Sequence, residues 1–332
     1  MGKPDESRDI NTKSRADIGS ITVTLPFPIR LNDVDLEETR KCHLDWAANL
    51  DIWPSQETRA KYEAADFPLF VAYTYPYASG FERKWATDAV GWTWLFDDAF
   101  DKADRRNVSL ETTASHLDIF RDIIYGRSTP TQTVGMPIAI AFQELVNRMN
   151  TIMSERQQAP WEDAFKSFHQ EVENNINGVI PKFDDFLNLR RPASGMEIMW
   201  DWIEVIRHIE LPANVHCDST FLSLRREAGD VVLLCNDLFS APREWNDGNT
   251  DNIVPVLAQQ EQCTWREASK MTHAVIDSKV NSVQRLEEQL HGSTCYTSLT
   301  PENQANTDLF IDGMKDWMAG SLAWHINCPR YK

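Results

Sequence analysis

Two short stretches of the sequence concentrate oxygen-bearing side chains at helical spacing. The first is Trp94-Leu95-Phe96-Asp97-Asp98-Ala99-Phe100-Asp101. Asp97 and Asp101 stand at i and i+4, and Asp98 and Asp101 at i and i+3, so on a helix these carboxylates share a face. Like charges that close repel, and near a helix C-terminus the backbone dipole adds to the repulsion. A solvated acidic helix end would tolerate this. A turn set among Trp94, Leu95, Phe96 and Phe100 needs a cation to compensate. Hard oxygen ligands select Mg²⁺, Mn²⁺ or Ca²⁺ over zinc. A calcium-binding EF-hand fits poorly, because its position-six glycine and alternating oxygen ligands are missing.

The second stretch is Cys235-Asn236-Asp237-Leu238-Phe239-Ser240-Ala241-Pro242-Arg243-Glu244. Asn236, Ser240 and Glu244 recur at i, i+4 and i+8, which on a helix makes a row of amide, hydroxyl and carboxylate oxygens. Any one of them could be a cap or a surface group. Together they form a divalent-metal row with room for water and a phosphate. Pro242 lies inside the row. It lacks an N–H and crowds the preceding turn, so a bend or a local opening is expected between Ser240 and Glu244.

The elements that must carry these rows are helices. Apolar residues recur at helical spacing up to about Leu50, over 56–78 with a break at Pro68, and over 80–104. Further helices are expected near 109–126, 135–155, 160–177, 195–209, 220–246, 264–291 and 306–327. No strand alternation follows residue 24, and no internal repeat or Gly/Ser linker divides the chain. The expectation is one all-α domain over 21–332, preceded by a polar, disordered arm over 1–20.

Composition narrows the function. Thirty-three Lys and Arg against 50 Asp and Glu give a net charge of −17. That surplus argues against nucleic-acid binding, which needs clustered cations, and against adsorption to anionic lipid. Hydrophobic residues make up 42% of the chain, enough for a large core, so the charge does not signal disorder. No apolar run approaches the ~20 residues of a membrane span. The six cysteines show no C-x-x-C pairing and the first twenty residues are polar, so reduced thiols, no signal peptide and a cytoplasmic location are expected. The eight histidines form no metal or catalytic pattern and are read as structural.

On these motifs the sequence resembles the class I terpene synthases, or terpene cyclases, of the microbial type. Asp97-Asp98-Ala99-Phe100-Asp101 matches the Asp-rich motif, and Asn236 to Glu244 matches the N-D-x-x-S-x-x-x-E motif, with Arg243 as its usual basic residue. Arg190 stands 46 positions before Asn236, where the family carries a diphosphate-sensing arginine. Arg330-Tyr331 follows Trp324 at the spacing of the family's C-terminal Arg-Tyr pair. The resemblance implies a helical bundle around an apolar active-site cavity, with the metal motifs at its mouth. It implies three Mg²⁺, with Mn²⁺ as a substitute, held by Asp97, Asn236, Ser240 and Glu244, with Asp98 and Asp101 as direct or supporting ligands. Arg190, Arg243, Arg330 and Tyr331 would clamp the diphosphate of a prenyl diphosphate substrate. Trp94 would face the carbocation, with Thr93 and Val90 on the same side, and Phe70, Phe96, Trp317 and Trp324 as further aromatic candidates. Ala193 and Ser194, after Arg190, would lie near the substrate's allylic end. The leading expectation is a Mg²⁺-dependent cyclase that converts farnesyl diphosphate to a sesquiterpene. A diterpene synthase using geranylgeranyl diphosphate is the alternative. A prenyltransferase would carry a second Asp-rich motif in place of Asn236 to Glu244, and a catalytically silent helical binding protein is favoured only by Pro242. A homodimer is left open.

Overall fold

Several helix starts in this chain are set by side chains that occupy orphan backbone N–H groups. Ser55 accepts from the N–H of Thr58, Thr300 from that of Asn303, and Thr264 forms a reciprocal capping box with Glu267. The computed structural model describes residues 17–101, 110–128, 133, 135–246, 249 and 251–331. Of the expected arm, residues 1–16 lie outside the described residues; Ile18 is buried and Asp17 pairs with Arg266 at 2.6 Å.

Among the described residues there are helices and no strands. The helices of eight or more residues are α1 (Leu36–Asn49), α2 (Gln56–Ala65), α3 (Phe67–Thr74), α4 (Gly80–Asp101), α5 (Leu110–Ile124) and α6 (Pro137–Met149). They continue with α7 (Pro160–Asn177), α8 (Phe183–Ala193), α9 (Met196–Arg207) and α10 (Ser219–Asn246). The last are α11 (Ile253–Gln260), α12 (Trp265–His291) and α13 (Pro301–Asn327), followed by a 3₁₀ turn over Pro329–Tyr331. No described helix is long and apolar enough to cross a membrane.

Three local differences from the sequence reading have physical causes. The break in 56–78 falls at Asp66, which adopts the left-handed conformation, and not at Pro68. Pro68 sits in the first turn of α3, where a missing N–H is harmless. Periodicity gives neither α8 nor α11, although Asp184-Asp185 reads as a helix N-terminal pair and stands in the first turn of α8. Both are short and contain a proline, so packing and not propensity holds them. The expected opening at Pro242 is not found, because α10 is helical without interruption from Ser219 to Asn246. One missing N–H removes one backbone bond, and α10 is held along its length by α12 and α13.

The centre of the bundle is α13. From Phe310 to His325 almost every residue is buried, and the helix packs on α3, α9 and α10. Its approach to α3 depends on Gly320. A Cβ there would stand 2.4 Å from the Tyr73 carbonyl oxygen, which is backbone and cannot swing away. Substituting Gly320→Ala should therefore lower the unfolding free energy by about 1–3 kcal/mol, the usual range for overpacking. Urea denaturation would measure it, and an unchanged midpoint would contradict the close approach.

Candidate active site

The C-terminal turn of α4, the C-terminal half of α10, the end of α8 and the turn after α13 meet around one cavity. Asp97, Arg190, Asn236, Arg243, Glu244, Arg330 and Tyr331 all line a single cavity there. Its deeper wall is aromatic and includes Phe70, Trp94, Phe96, Phe168 and Trp317. Thr93, Ala193 and Ser194 also line it. Val90 and Trp324 are buried without reaching its surface. Trp324 instead donates Nε1–H to the Ala65 carbonyl at 2.9 Å and packs edge-on behind Trp94 and Phe70.

The acidic turn divides its work between side chains. Asp97 faces the cavity, and burial, with Asp98 and Glu244 nearby, pushes its carboxyl above the usual range. Asp98 accepts two hydrogen bonds from Arg330, at 2.7 and 3.1 Å, and lies 3.6 Å from Arg243. This ties α4 to the C-terminal turn. Asp101 is the last residue of α4, and its side chain lies outside the described residues.

The row on α10 is held from behind. Asn252 donates through Nδ2 to the Asp237 carbonyl at 2.8 Å, to Ser240 Oγ at 3.3 Å and to Glu244 Oε2 at 2.8 Å. Asn236 and Glu244 reach the cavity, whereas Ser240 is 1% exposed and sits against Asn252. Burial raises the Glu244 carboxyl above its ordinary range. The amide of Asn236 donates to His325 Nε2 at 3.0 Å and to the Tyr331 hydroxyl at 3.4 Å. His325 is buried, and burial lowers its pKa to about 4, so it is neutral at physiological pH.

Arg190 reaches across from α8. It donates to Asp237 Oδ1 at 3.1 Å, and Glu171 lies 4.0 Å from its Nη1. Burial works against its charge, but the carboxylate of Asp237, the nearest to it, favours the charge and keeps the guanidinium protonated. Asp237 is anchored in turn by the N–H of Ile253 at 3.0 Å. Among the described residues, Arg330 Nε is a buried donor without a hydrogen-bond partner. An anion in the cavity could take such a donor.

Several of these residues escaped the sequence reading. Glu171 is 6% exposed, lines the cavity and has one oxygen with no hydrogen-bond partner among the described residues. Burial, reinforced by Asp251, Asp237 and Asp97, pushes its carboxyl well above the usual range. A signal existed: Trp161, Ala164, Phe165 and Phe168 mark the apolar stripe of α7, and Glu171 continues it. Asn252 and His325 carried no such signal, because the site residues they meet, Asp237, Ser240 and Glu244 for the one and Asn236 for the other, lie on another helix.

The donors fit a hard divalent cation. They are carboxylate, amide and hydroxyl oxygens, and burial holds Asp97, Glu171 and Glu244 above the usual carboxylate range although Arg190 and Arg243 stand nearby. Among the described residues no three His, Cys, Asp or Glu side chains come close enough to share an ion. Oxygens of a bound phosphate would complete the coordination, as is usual for Mg²⁺.

An all-helical bundle with a charged end on an aromatic cavity defines the terpene synthase class. The chain belongs to terpene synthase family 2: the family's C-terminal metal-binding model matches residues 88–282. It is 25% identical to the pristinol synthase of Streptomyces pristinaespiralis, over 93% of this chain and 84% of that enzyme. It is 26% identical to the 7-epi-alpha-eudesmol synthase of Streptomyces viridochromogenes, over 92% and 90%. The solved germacradien-4-ol synthase from Streptomyces citricolor matches with a TM-score of 0.79 at 27% identity, over 93% of this chain and 99% of that one. A linalool/nerolidol synthase from Streptomyces clavuligerus shares the fold, with a TM-score of 0.80 at 23% identity over 92% and 100%. The protein is thus a terpene synthase, an all-α enzyme of prenyl diphosphates whose family binds a divalent metal.

Glu171 gives the site a testable electrostatic signature. Its raised pKa means that the folded chain favours the neutral acid. That contribution to stability is full below the unfolded value and is lost as pH rises through the folded one. Glutamine does not titrate. The stability of Glu171→Gln relative to the unsubstituted chain should therefore increase from pH 4 to pH 8 in metal-free thermal unfolding. A flat or falling difference would show that Arg190 keeps Glu171 ionised throughout.

Proposed function

We propose that the protein ionises farnesyl diphosphate with Mg²⁺ and cyclises the resulting carbocation to a sesquiterpene, with residues 21–332 as the catalytic domain. The observation that carries this reading is the convergence of Asp97, Asn236 and Glu244 with Arg190, Arg243 and Arg330 at one end of an aromatic-walled cavity. Two relatives support the C15 substrate: the 7-epi-alpha-eudesmol and 4-epi-cubebol synthases are both named as cyclising (2E,6E)-farnesyl diphosphate.

In this reading Asp97, Asn236, Ser240 and Glu244 hold the metal, three ions being expected, and Mn²⁺ can substitute. Asp98 supports the site by fixing Arg330. Bound Mg²⁺ neutralises the charge that develops on the departing diphosphate. Arg190, Arg243 and Arg330, with Tyr331, receive the diphosphate, since planar guanidinium groups bond two phosphate oxygens at once. Trp94 offers its ring face to the cation and, with Phe70 and Trp317, excludes water from it. A cytoplasmic location belongs to the same reading.

The direct test is incubation of the purified protein with C10, C15 and C20 prenyl diphosphates and Mg²⁺, followed by gas chromatography–mass spectrometry. A cyclic C15 product is expected. Turnover of the C20 substrate alone would replace the sesquiterpene reading with a diterpene one, and turnover of none would sink it. Asp97→Ala and Asn236→Ala should each reduce turnover by at least roughly 100-fold, the upper end of what even supporting metal contacts contribute, with the helical circular dichroism retained. Full activity in either would refute its role as a ligand.

A further inference from the structure

The side-chain amide of Asn236 has two nearly equal-sized ends, and only its oxygen can face a cation. Nothing on α10 itself chooses between the two orientations. The choice is made from α13. His325 Nδ1 lies 2.7 Å from the Ser321 carbonyl oxygen. A carbonyl only accepts, so Nδ1 carries the ring proton and Nε2 presents a lone pair. That lone pair is 3.0 Å from Asn236 Nδ2 and takes one amide N–H, while the Tyr331 hydroxyl takes the other at 3.4 Å. A reversed amide would set Oδ1 against the Nε2 lone pair and turn the NH₂ group toward the cation. The ring cannot easily rotate to relieve this. It is 2% exposed and packs at 4.8 Å from the Tyr331 ring and 5.0 Å from Trp324.

We propose that His325 is a positioning residue that orients the Asn236 amide so that Oδ1 is the atom offered to the metal; this rests on reading Asn236 as a ligand. No proton transfer is involved. His325 fixes the ligand, as partners behind metal ligands do elsewhere, and such partners typically contribute 10–100-fold in affinity.

The test uses the full chain with Mn²⁺ and inorganic diphosphate, with free Mn²⁺ read by electron paramagnetic resonance. His325→Phe keeps an aromatic ring but has no acceptor, and should weaken Mn²⁺ binding by about tenfold. His325→Gln, whose Oε1 can accept from Asn236, should recover most of that loss. A merely structural role would lower the thermal midpoint of both variants and leave Mn²⁺ affinity unmoved. Unchanged Mn²⁺ binding in His325→Phe, with binding lost in Asn236→Ala, would overturn the proposal alone. Unchanged binding in both would overturn the ligand reading beneath it. A second measurement does not depend on how the Phe variant folds. In the unsubstituted protein with ¹⁵N-labelled histidine, the resonance missing from His325→Gln should be an Nδ1–H tautomer. An Nε2–H tautomer there would overturn the proposal.

Discussion

Like charges have to be kept together in a poorly solvated place for this site to exist. Asp97, Glu171 and Glu244 line one cavity, and burial raises the pKa of all three. Left alone, such carboxylates would take up protons or push the helices apart. The bundle restrains them by spreading them over three helices, α4, α7 and α10, that are each anchored elsewhere in the core. Arg190 and Arg243 offset that repulsion only in part.

Neutral polar groups hold the arrangement in register. Asn252 spans the Asp237 carbonyl, Ser240 and Glu244, so one side chain at the start of α11 braces two turns of α10. Asp237 is wholly buried and spends its two oxygens on Arg190 and the N–H of Ile253, linking α8 to α11 through α10. These contacts add little net charge, yet they determine where the charged groups point. The clamp of Arg330 on Asp98 does the same at the other side of the mouth, drawing the C-terminal turn onto α4.

The opposite demand is met below the charged rim. A carbocation must be shielded from water by groups that stabilise it without attacking it, and aromatic faces do this. Trp94 stands against Phe67 and Phe70, which pack in turn on Trp324 at the centre of the bundle. The absence of a side chain at Gly320 lets α3 and α13 approach closely enough to build that wall. Polar rim and aromatic wall are therefore two ends of the same helices.

The motifs and most helices were legible in the sequence because both are local. Helical periodicity and carboxylate spacing are set within a few residues, so the faces of α4 and α10 follow from Asp97, Asn236 and their neighbours alone. The short helix α11 was hidden, since packing stabilises it, and so was the continuity of α10 through Pro242. What only the tertiary structure decided is which atom meets which. Asn236 and His325 are 89 residues apart, and Asp98 and Arg330 are 232 apart. Nothing in the types of these residues says that one orients an amide and the other closes a clamp. Those roles arise where helices cross, and the crossing is set by the whole core, including a glycine and an aromatic wall far from either motif.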